Sequence, residues 1–128
     1  VIVVDDQREV REMITMSLER CGMTVLECAD GNEALATFAI DPSSWDAVVT
    51  DHGMPGMRGL DLIRRIKALR SDVPSILCSG YSEATTAESA LAAGVDAVLQ
   101  KPMRPEVIQQ TVSRLIAAQR HGRLRSAR

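Results

Sequence analysis

The chain has 128 residues, of which 45% are hydrophobic, and a formal net charge of −2. This length and composition suit one folded domain. Aromatic residues make up only 2%, so the core must be aliphatic. The small negative charge gives no electrostatic reason to expect nucleic acid binding, and no apolar run approaches the roughly 20 residues that a membrane helix needs.

The cysteines indicate the redox compartment of the protein, and the first residues indicate whether the sequence is part of a longer chain. Cys21, Cys28 and Cys78 do not have the spacing of metal ligands, and an odd count predicts free thiols in a reducing compartment. The chain opens inside an apolar run and has no initiator Met and no signal peptide. We therefore expect it to be a piece of a longer protein.

Strands and helices are predicted to alternate five times. In chain order they are a strand at 1–4, a helix at 7–21, a strand at 24–28, a helix ending near 39, a strand at 47–51, a helix at 59–70, a strand at 73–78, a helix at 82–93, a strand at 96–100 and a helix from Pro105. Thr24 and Glu27 make the second strand typical of a sheet edge. The alternation predicts an α/β fold with a parallel sheet and right-handed crossovers.

The apolar residues of three helices predict which faces are buried. The first and third helices carry stripes at helical spacing, formed by Val10, Met13, Ile14, Leu18 and Cys21 and by Leu62, Ile63, Ile66 and Leu69. The helix at 82–93 has Leu91 as its one large apolar residue, so we expect it to be held weakly. Residues 120–128 contain four arginines and are predicted to be a frayed tail or the start of a linker.

Polar side chains follow four of the predicted strands at the point where each strand ends. Asp5 and Asp6 follow the first strand, Asp51 ends the third, Ser79 follows the fourth and Lys101 follows the fifth. The carboxyl ends of parallel strands meet at one edge, where open α/β sheets place their sites. The pattern predicts a magnesium and phosphoryl site with Asp51 as the acceptor.

The residue types fit that chemistry. Carboxylates on neighbouring strands, only ~4.8 Å apart, repel one another unless a cation lies between them. An all-oxygen set suits Mg²⁺, and a carboxylate next to the ion can attack phosphorus and become an acyl phosphate. Lys101 and Ser79 can each bind a phosphate oxygen. Taken one at a time, such residues are more often caps or turn residues, and Asp5 and Asp6 can also cap the first helix.

The combined pattern resembles the receiver domain of two-component response regulators. The resemblance covers residues 1 to about 118 and is carried by Asp5-Asp6, Asp51-x-x-Met54-Pro55, Ser79 and Lys101-Pro102. It implies a flavodoxin-like (βα)5 fold, with one five-stranded parallel sheet of order 2-1-3-4-5 and helices on both faces. It also implies a receiver domain at residues 1–119, followed by a basic tail or linker start at 120–128.

The resemblance assigns a role to each strand-end residue. It implies that Asp51 is the phosphoacceptor and that Asp6, Asp51 and the backbone carbonyl of Gly53 ligate Mg²⁺. Asp5 would then act on the ion through bound water. Ser79 is the implied switch hydroxyl, and Lys101 is the implied catalytic lysine.

Two further features of the family motif concern the last strand. The resemblance implies a cis bond between Lys101 and Pro102. Family members often have Tyr or Phe three residues before the lysine, whereas this chain has Val98. Because Leu91 is the one large apolar anchor of the helix at 82–93, we expect the phosphorylation signal to leave through that helix and its flanking loops as Ser79 moves inward. Tyr81, or repacking of the helix itself, is expected to replace the missing ring.

The resemblance also implies the biological context. The phosphodonor would be the phosphohistidine of a histidine kinase or a histidine phosphotransfer domain. The local sequence around Asp51 and Ser79 is similar to that of receivers fused to hybrid sensor histidine kinases. This similarity implies a cytoplasmic module, and one possible location is the cytoplasmic end of a membrane-bound sensor kinase. We expect no nucleic acid binding by this domain and no direct membrane contact, and a weak homodimer stays an alternative. As an enzyme, the domain would catalyse only its own phosphorylation and dephosphorylation. A protein-histidine kinase stays an alternative for the longer chain to which the domain belongs.

Two other functions are compatible with parts of the pattern. A hydrolase of the haloacid dehalogenase kind would need a second Asp two residues after the nucleophile, and position 53 is Gly. A flavin-binding flavodoxin relative would need a Ser-, Thr- and Gly-rich loop after the first strand. The acidic Asp5-Asp6 pair would instead repel a phosphate. Both rivals are therefore less consistent with the sequence than a phosphorylation switch.

Overall fold

The computed structural model describes residues 1–80 and 87–126, in which five strands alternate with five helices. The strands are β1 (Ile2–Val4), β2 (Leu26–Cys28), β3 (Val48–Asp51), β4 (Ser75–Ser79) and β5 (Ala97–Gln100). The helices are α1 (Arg8–Glu19), α2 (Gly31–Ile40), α3 (Gly59–Leu69), α4 (Ala87–Ala92) and α5 (Pro105–Ser126), with a short 3-10 helix at Pro42–Ser44. The first residues predicted for the fourth helix lie outside the described residues.

One parallel sheet organises the chain, in the order β2-β1-β3-β4-β5. The predicted fold and strand order are confirmed, and β2 lies at the edge, as its polar residues predicted. The inner strands β1, β3 and β4 are fully buried. That burial is typical of parallel strands covered by helices on both faces.

Helices cover both faces of the sheet because alternate strand residues point to opposite sides. On one face, Val3 and Val49 pack with Ile14 and Leu18 of α1 and with Ile108 of α5. On the other face, the buried set contains Ile2, Val4 and Val48 with Ala34, Phe38, Leu62 and Ile66 of α2 and α3. Phe38 is fully buried in this second cluster, whose other members are mostly aliphatic.

Three predicted core residues lie on the surface instead. Leu91 is 50% exposed, whereas the adjacent Ala90 of α4 is fully buried. Leu69 is also 50% exposed, and Cys21 lies beyond the end of α1 in an exposed turn. All three residues lie at or near the end of a helix. There, the apolar face of the helix continues beyond the part of the sheet against which it packs.

Helix α5 extends into the basic segment at the end of the chain. From Arg120 the sequence predicted a frayed tail or the start of a linker, and the structure continues the helix to Ser126. Arg120 lies 3.4 Å from Asp46, and the neighbouring Gln119 donates a hydrogen bond to Asp72 at 3.0 Å. These contacts hold the helix against the loops that lead into β3 and β4. No helix in the described part of the chain is both long and apolar enough to cross a membrane.

Candidate functional site: an acidic cluster with a lysine

Asp51 is the last residue of β3, at the centre of the carboxyl edge of the sheet. Its side chain is 5% exposed, and its Cα pairs with that of Cys78 on β4. The buried run Val48-Val49-Thr50 brings the carboxylate to this position because the strand must enter between two helical layers. The structure therefore presents one carboxylate at the strand end with little access to water.

Gly59, at the start of α3, allows the chain to fold tightly around Asp51. A Cβ atom built on Gly59 would overlap the backbone carbonyl oxygen of Asp51 and lie 2.8 Å from Leu77 Cδ1. The Gly59 N–H donates to the carbonyl of His52 at 3.1 Å. The absence of a side chain at position 59 thus lets α3 begin directly against the strand end that carries Asp51.

Asp5 and Asp6 follow β1, the neighbouring strand, and complete an acidic cluster. Asp5, Asp6 and Asp51 each offer a carboxylate oxygen, and these oxygens all lie within 4.8 Å of one another. Asp5 is fully buried, whereas Asp6 is exposed. Burial, followed by the charges of Asp51 and Asp6, raises the pKa of Asp5 above its usual value, despite the opposing hydrogen bond from Gln7 N–H and the charge of Lys101.

The two oxygens of Asp5 have different partners. Oδ1 accepts a hydrogen bond from the backbone N–H of Gln7 at 2.9 Å, which is the local turn role that a single Asp often has. Oδ2 lies 3.6 Å from Nζ of Lys101. Asp5 therefore stabilises the turn before α1 rather than capping the helix, whose N-cap position is Gln7, and it also faces the acidic cluster.

Lys101 supplies the positive charge of the site. It follows β5, and its Nζ lies 2.6 Å from Asp51 Oδ1. Burial alone would lower the pKa of Lys101, but its hydrogen-bonding contact with Asp51 and the charge of Asp5 outweigh burial and raise it. The Lys101–Pro102 peptide bond is cis, as the resemblance implied, and Lys101 N–H donates to the carbonyl of Ser79 at 2.8 Å.

Ser79 and Gly53 also lie at this edge. Ser79 ends β4 and is 7% exposed, and its Oγ lies 3.4 Å from the carbonyl oxygen of Gly80. Gly53 is exposed in the loop after β3. Val98 is half-buried and packs with Leu77 and Ala90 on the α3 and α4 side of the sheet. Tyr81 and the loop through which the signal is expected to leave lie outside the described residues.

Two further residues at this site, His52 and Arg11, were not assigned a role from the sequence. His52 is 3% exposed, directly after Asp51. Arg11 donates from its guanidinium NH1 group to the backbone carbonyl of Asp5 at 2.8 Å. Arg11 lies in the second turn of the helix that follows Asp5-Asp6, and this position was the one indication in the sequence that it could reach the site. An arginine on the solvent-exposed face of the helix would occur at the same kind of position, so the sequence does not distinguish the two.

The donor set of the cluster fits a hard divalent cation. The three carboxylates are all-oxygen ligands, and two of them are buried. The thiol of Cys78, on the strand paired with that of Asp51, packs in the hydrophobic cluster that contains Val3 and Val49. An ion held there would offset the repulsion among the carboxylates, a role that Lys101 fills in part. The arrangement can bind a cation and a phosphoryl group side by side.

Comparisons with known proteins agree with this geometry. The family model described as response regulator receiver domain matches residues 1–113. The chain is 36% identical over 114 residues to the C4-dicarboxylate transport transcriptional regulatory protein DctD of Rhizobium meliloti, covering 89% of this chain and 24% of that protein. It is 34% identical over 124 residues to the response regulator MprA of Mycobacterium ulcerans, covering 97% of this chain and 51% of that protein. The chain thus spans about half or less of the length of these relatives.

Solved structures share the whole fold. A response regulator receiver domain protein from Clostridium thermocellum superposes with a TM-score of 0.88 at 28% identity, covering 93% of this chain and 94% of that one. The structural similarity therefore extends over most of the chain.

Proposed function

The chain belongs to the response regulator receiver domain family, which provides the phosphoacceptor modules of two-component signalling, and from this membership we propose that Asp51 receives the phosphoryl group. The observation that supports this assignment is the contact at 2.6 Å between the buried Asp51 carboxylate and Lys101 Nζ, next to two further acids. A carboxylate oxygen of Asp51 would attack the phosphorus of a phosphohistidine. The new P–O bond forms as the P–N bond breaks, and the imidazole leaves.

Asp6, Asp51 and the carbonyl of Gly53 are proposed to hold Mg²⁺, with Asp5 acting through bound water. When bound, the ion would neutralise charge on the phosphoryl oxygens. The burial of Asp5 and its hydrogen bond from Gln7 support an indirect role for this residue, whereas the exposed Asp6 is accessible to a partly hydrated ion.

Lys101 and Ser79 are proposed to bind the phosphoryl oxygens after transfer. The Lys101 ammonium already lies against Asp51, so it can contact a group attached there with little movement. Ser79 Oγ stands at the adjacent strand end and can donate to a second oxygen. Such a charge-assisted hydrogen bond, worth ~1.5–3 kcal/mol, is large enough to shift a weakly held element such as α4.

The proposed module is a receiver at residues 1–119 whose donor is a histidine kinase or histidine phosphotransfer domain. We propose a cytoplasmic location, a hybrid sensor histidine kinase as the parent chain, and residues 120–128 as the start of a linker. The continuation of α5 to Ser126 supports a helical linker rather than a frayed tail. Enzymatic activity of the module would be limited to its own phosphorylation and dephosphorylation.

Mass spectrometry of the intact chain tests the acceptor. Incubation with acetyl phosphate and Mg²⁺ should add one phosphoryl group, and Asp51→Asn should abolish the gain because an amide is a poor nucleophile. Asp61→Asn is the matched control, since Asp61 is a half-exposed acid in the first turn of α3. Equal labelling of Asp51→Asn and the unaltered chain would contradict the assignment. Continuous turnover of the phosphodonor without a labelled protein would favour the hydrolase alternative.

A further inference from the structure

Arg11 connects three elements behind the acidic cluster. It lies on α1, and its side chain is only 18% exposed. Its NH1 group donates to the backbone carbonyl of Asp5 at 2.8 Å, and its Nε donates to Glu27 Oε1 on the edge strand β2 at 3.1 Å. The guanidinium thus ties the end of β1 to the middle of β2 while standing on the helix that follows β1.

The carbonyl that Arg11 binds belongs to the peptide group joining Asp5 to Asp6. Asp5 is fixed on its other side by its N–H, which donates to the carbonyl of Cys28 at 3.2 Å, and by its Oδ1, which accepts from Gln7. A peptide group is planar, so a bond to its oxygen also sets the direction in which the chain leaves toward Asp6. Arg11 therefore constrains the direction of the backbone at Asp6, whose exposed carboxylate belongs to the acidic cluster.

We propose that Arg11 is a positioning residue for the metal site, and that it acts by orienting the Asp5–Asp6 peptide rather than by its charge. This inference rests on the proposed magnesium site. A guanidinium is suited to the task because its planar fork can serve the carbonyl and the Glu27 carboxylate at once, which the ammonium of a lysine cannot do with the same geometry. Groups that hold metal ligands in place commonly change metal affinity by one to two orders of magnitude when they are removed.

The sign of the change in Mg²⁺ affinity separates positioning from charge. Removing a positive charge near a cation site should by itself tighten Mg²⁺ binding a few-fold. Removing a positioning group should weaken it. We expect Arg11→Gln to bind Mg²⁺ about tenfold more weakly than the unaltered chain. Arg11→Lys retains the charge and should still bind several-fold more weakly.

Arg8→Gln is the matched control. Arg8 stands one turn earlier on the same helix and pairs with Glu12 at 2.8 Å, but its side chain is 78% exposed. Removing it deletes the same charge without touching the Asp5 carbonyl, so Mg²⁺ affinity should stay equal or rise slightly. Isothermal calorimetry gives the affinities, and thermal unfolding without Mg²⁺ shows whether each variant is folded. Should Arg11→Gln fail to fold, Arg11→Lys supplies the comparison.

Tighter or unchanged Mg²⁺ binding by folded Arg11→Gln, or unchanged binding by folded Arg11→Lys, would overturn the positioning role. The proposed site would still stand in that case. A lack of Mg²⁺ binding by the unaltered chain would instead overturn the metal site, and the role of Arg11 with it. Binding weakened in both Arg11 variants and retained in Arg8→Gln would support the proposal.

Discussion

Replacing Lys101 with Met removes the positive charge that contacts Asp51 at 2.6 Å and Asp5 at 3.6 Å. At an effective dielectric constant of 20, the shorter contact corresponds to roughly 6 kcal/mol of Coulomb attraction. Desolvation of a carboxylate that is only 5% exposed offsets much of this attraction. We therefore expect the free energy of unfolding to fall by ~2–3 kcal/mol in Mg²⁺-free buffer, in line with hydrogen bonds to charged groups.

Mg²⁺ should restore most of this loss. A divalent cation bound by the acidic cluster can replace the missing charge, and a ligand at 100 times its dissociation constant adds about 2.7 kcal/mol to stability. The recovery relative to the unaltered chain equals the gain in Mg²⁺ affinity, about 1.4 kcal/mol for each tenfold. Lys101→Met should therefore bind Mg²⁺ at least roughly tenfold more tightly than the unaltered chain, because the competing ammonium is gone. Urea unfolding with and without Mg²⁺ measures the free energies of unfolding. Thermal unfolding is a second assay, in which a loss of ~2 kcal/mol corresponds to a midpoint lowered by roughly 8 °C.

Lys67→Met is the control for Lys101→Met. Lys67 pairs with Asp96 at 2.9 Å, and its side chain is 18% exposed against 23% for Lys101, but it lies on α3 outside the acidic cluster. Its removal should cost stability to the same extent with and without Mg²⁺. Two results would refute the reasoning: a loss for Lys101→Met that Mg²⁺ does not reduce, or a Lys101→Met variant that no longer binds Mg²⁺.

Two further predictions test the close approach at Gly59 and the cysteines. Gly59→Ala should lower the free energy of unfolding by ~1–3 kcal/mol, because its Cβ would overlap the Asp51 carbonyl. Gly122→Ala has open space around it in α5 and should raise the free energy of unfolding by about 1 kcal/mol in the same urea assay. Equal effects of the two changes would contradict this packing. A thiol reagent added to the native chain at pH 8 should modify Cys21 fast and the buried Cys28 and Cys78 only after unfolding, because burial raises the pKa of Cys28 to about 11; three equally fast thiols would show that the core opens readily.

Predictions for the helices were accurate at their centres and wrong near their ends. Ile14, Leu18 and Ile66 are buried, as the helical spacing of apolar residues predicted. Leu69 was assigned to the core by the same rule, and Leu91 was expected to anchor the helix at 82–93, yet each is half exposed. Periodicity defines a face of a helix but carries no information about where the covering strand or helix stops. For α4, the small Ala90 fits against the sheet while the larger Leu91 points outward.

The sequence by itself determined the fold, the strand order through its family resemblance, and the strand ends at which Asp5, Asp6, Asp51, Ser79 and Lys101 stand. These follow from local signals: apolar runs, turn residues and the rule that parallel strands share one carboxyl edge.

Only the tertiary structure decided which side chains pair. Lys101 contacts Asp51, which is 50 positions earlier in the chain, and Arg11 joins the Asp5 carbonyl to Glu27 on an edge strand. Glutamine and arginine residues predicted to lie in a tail or near it instead hold α5 against the body of the domain through Asp46 and Asp72. These contacts depend on the spacing of packed elements and on the reach of long side chains. Neither is encoded in residue type or local periodicity, so neither could be derived from the chain alone.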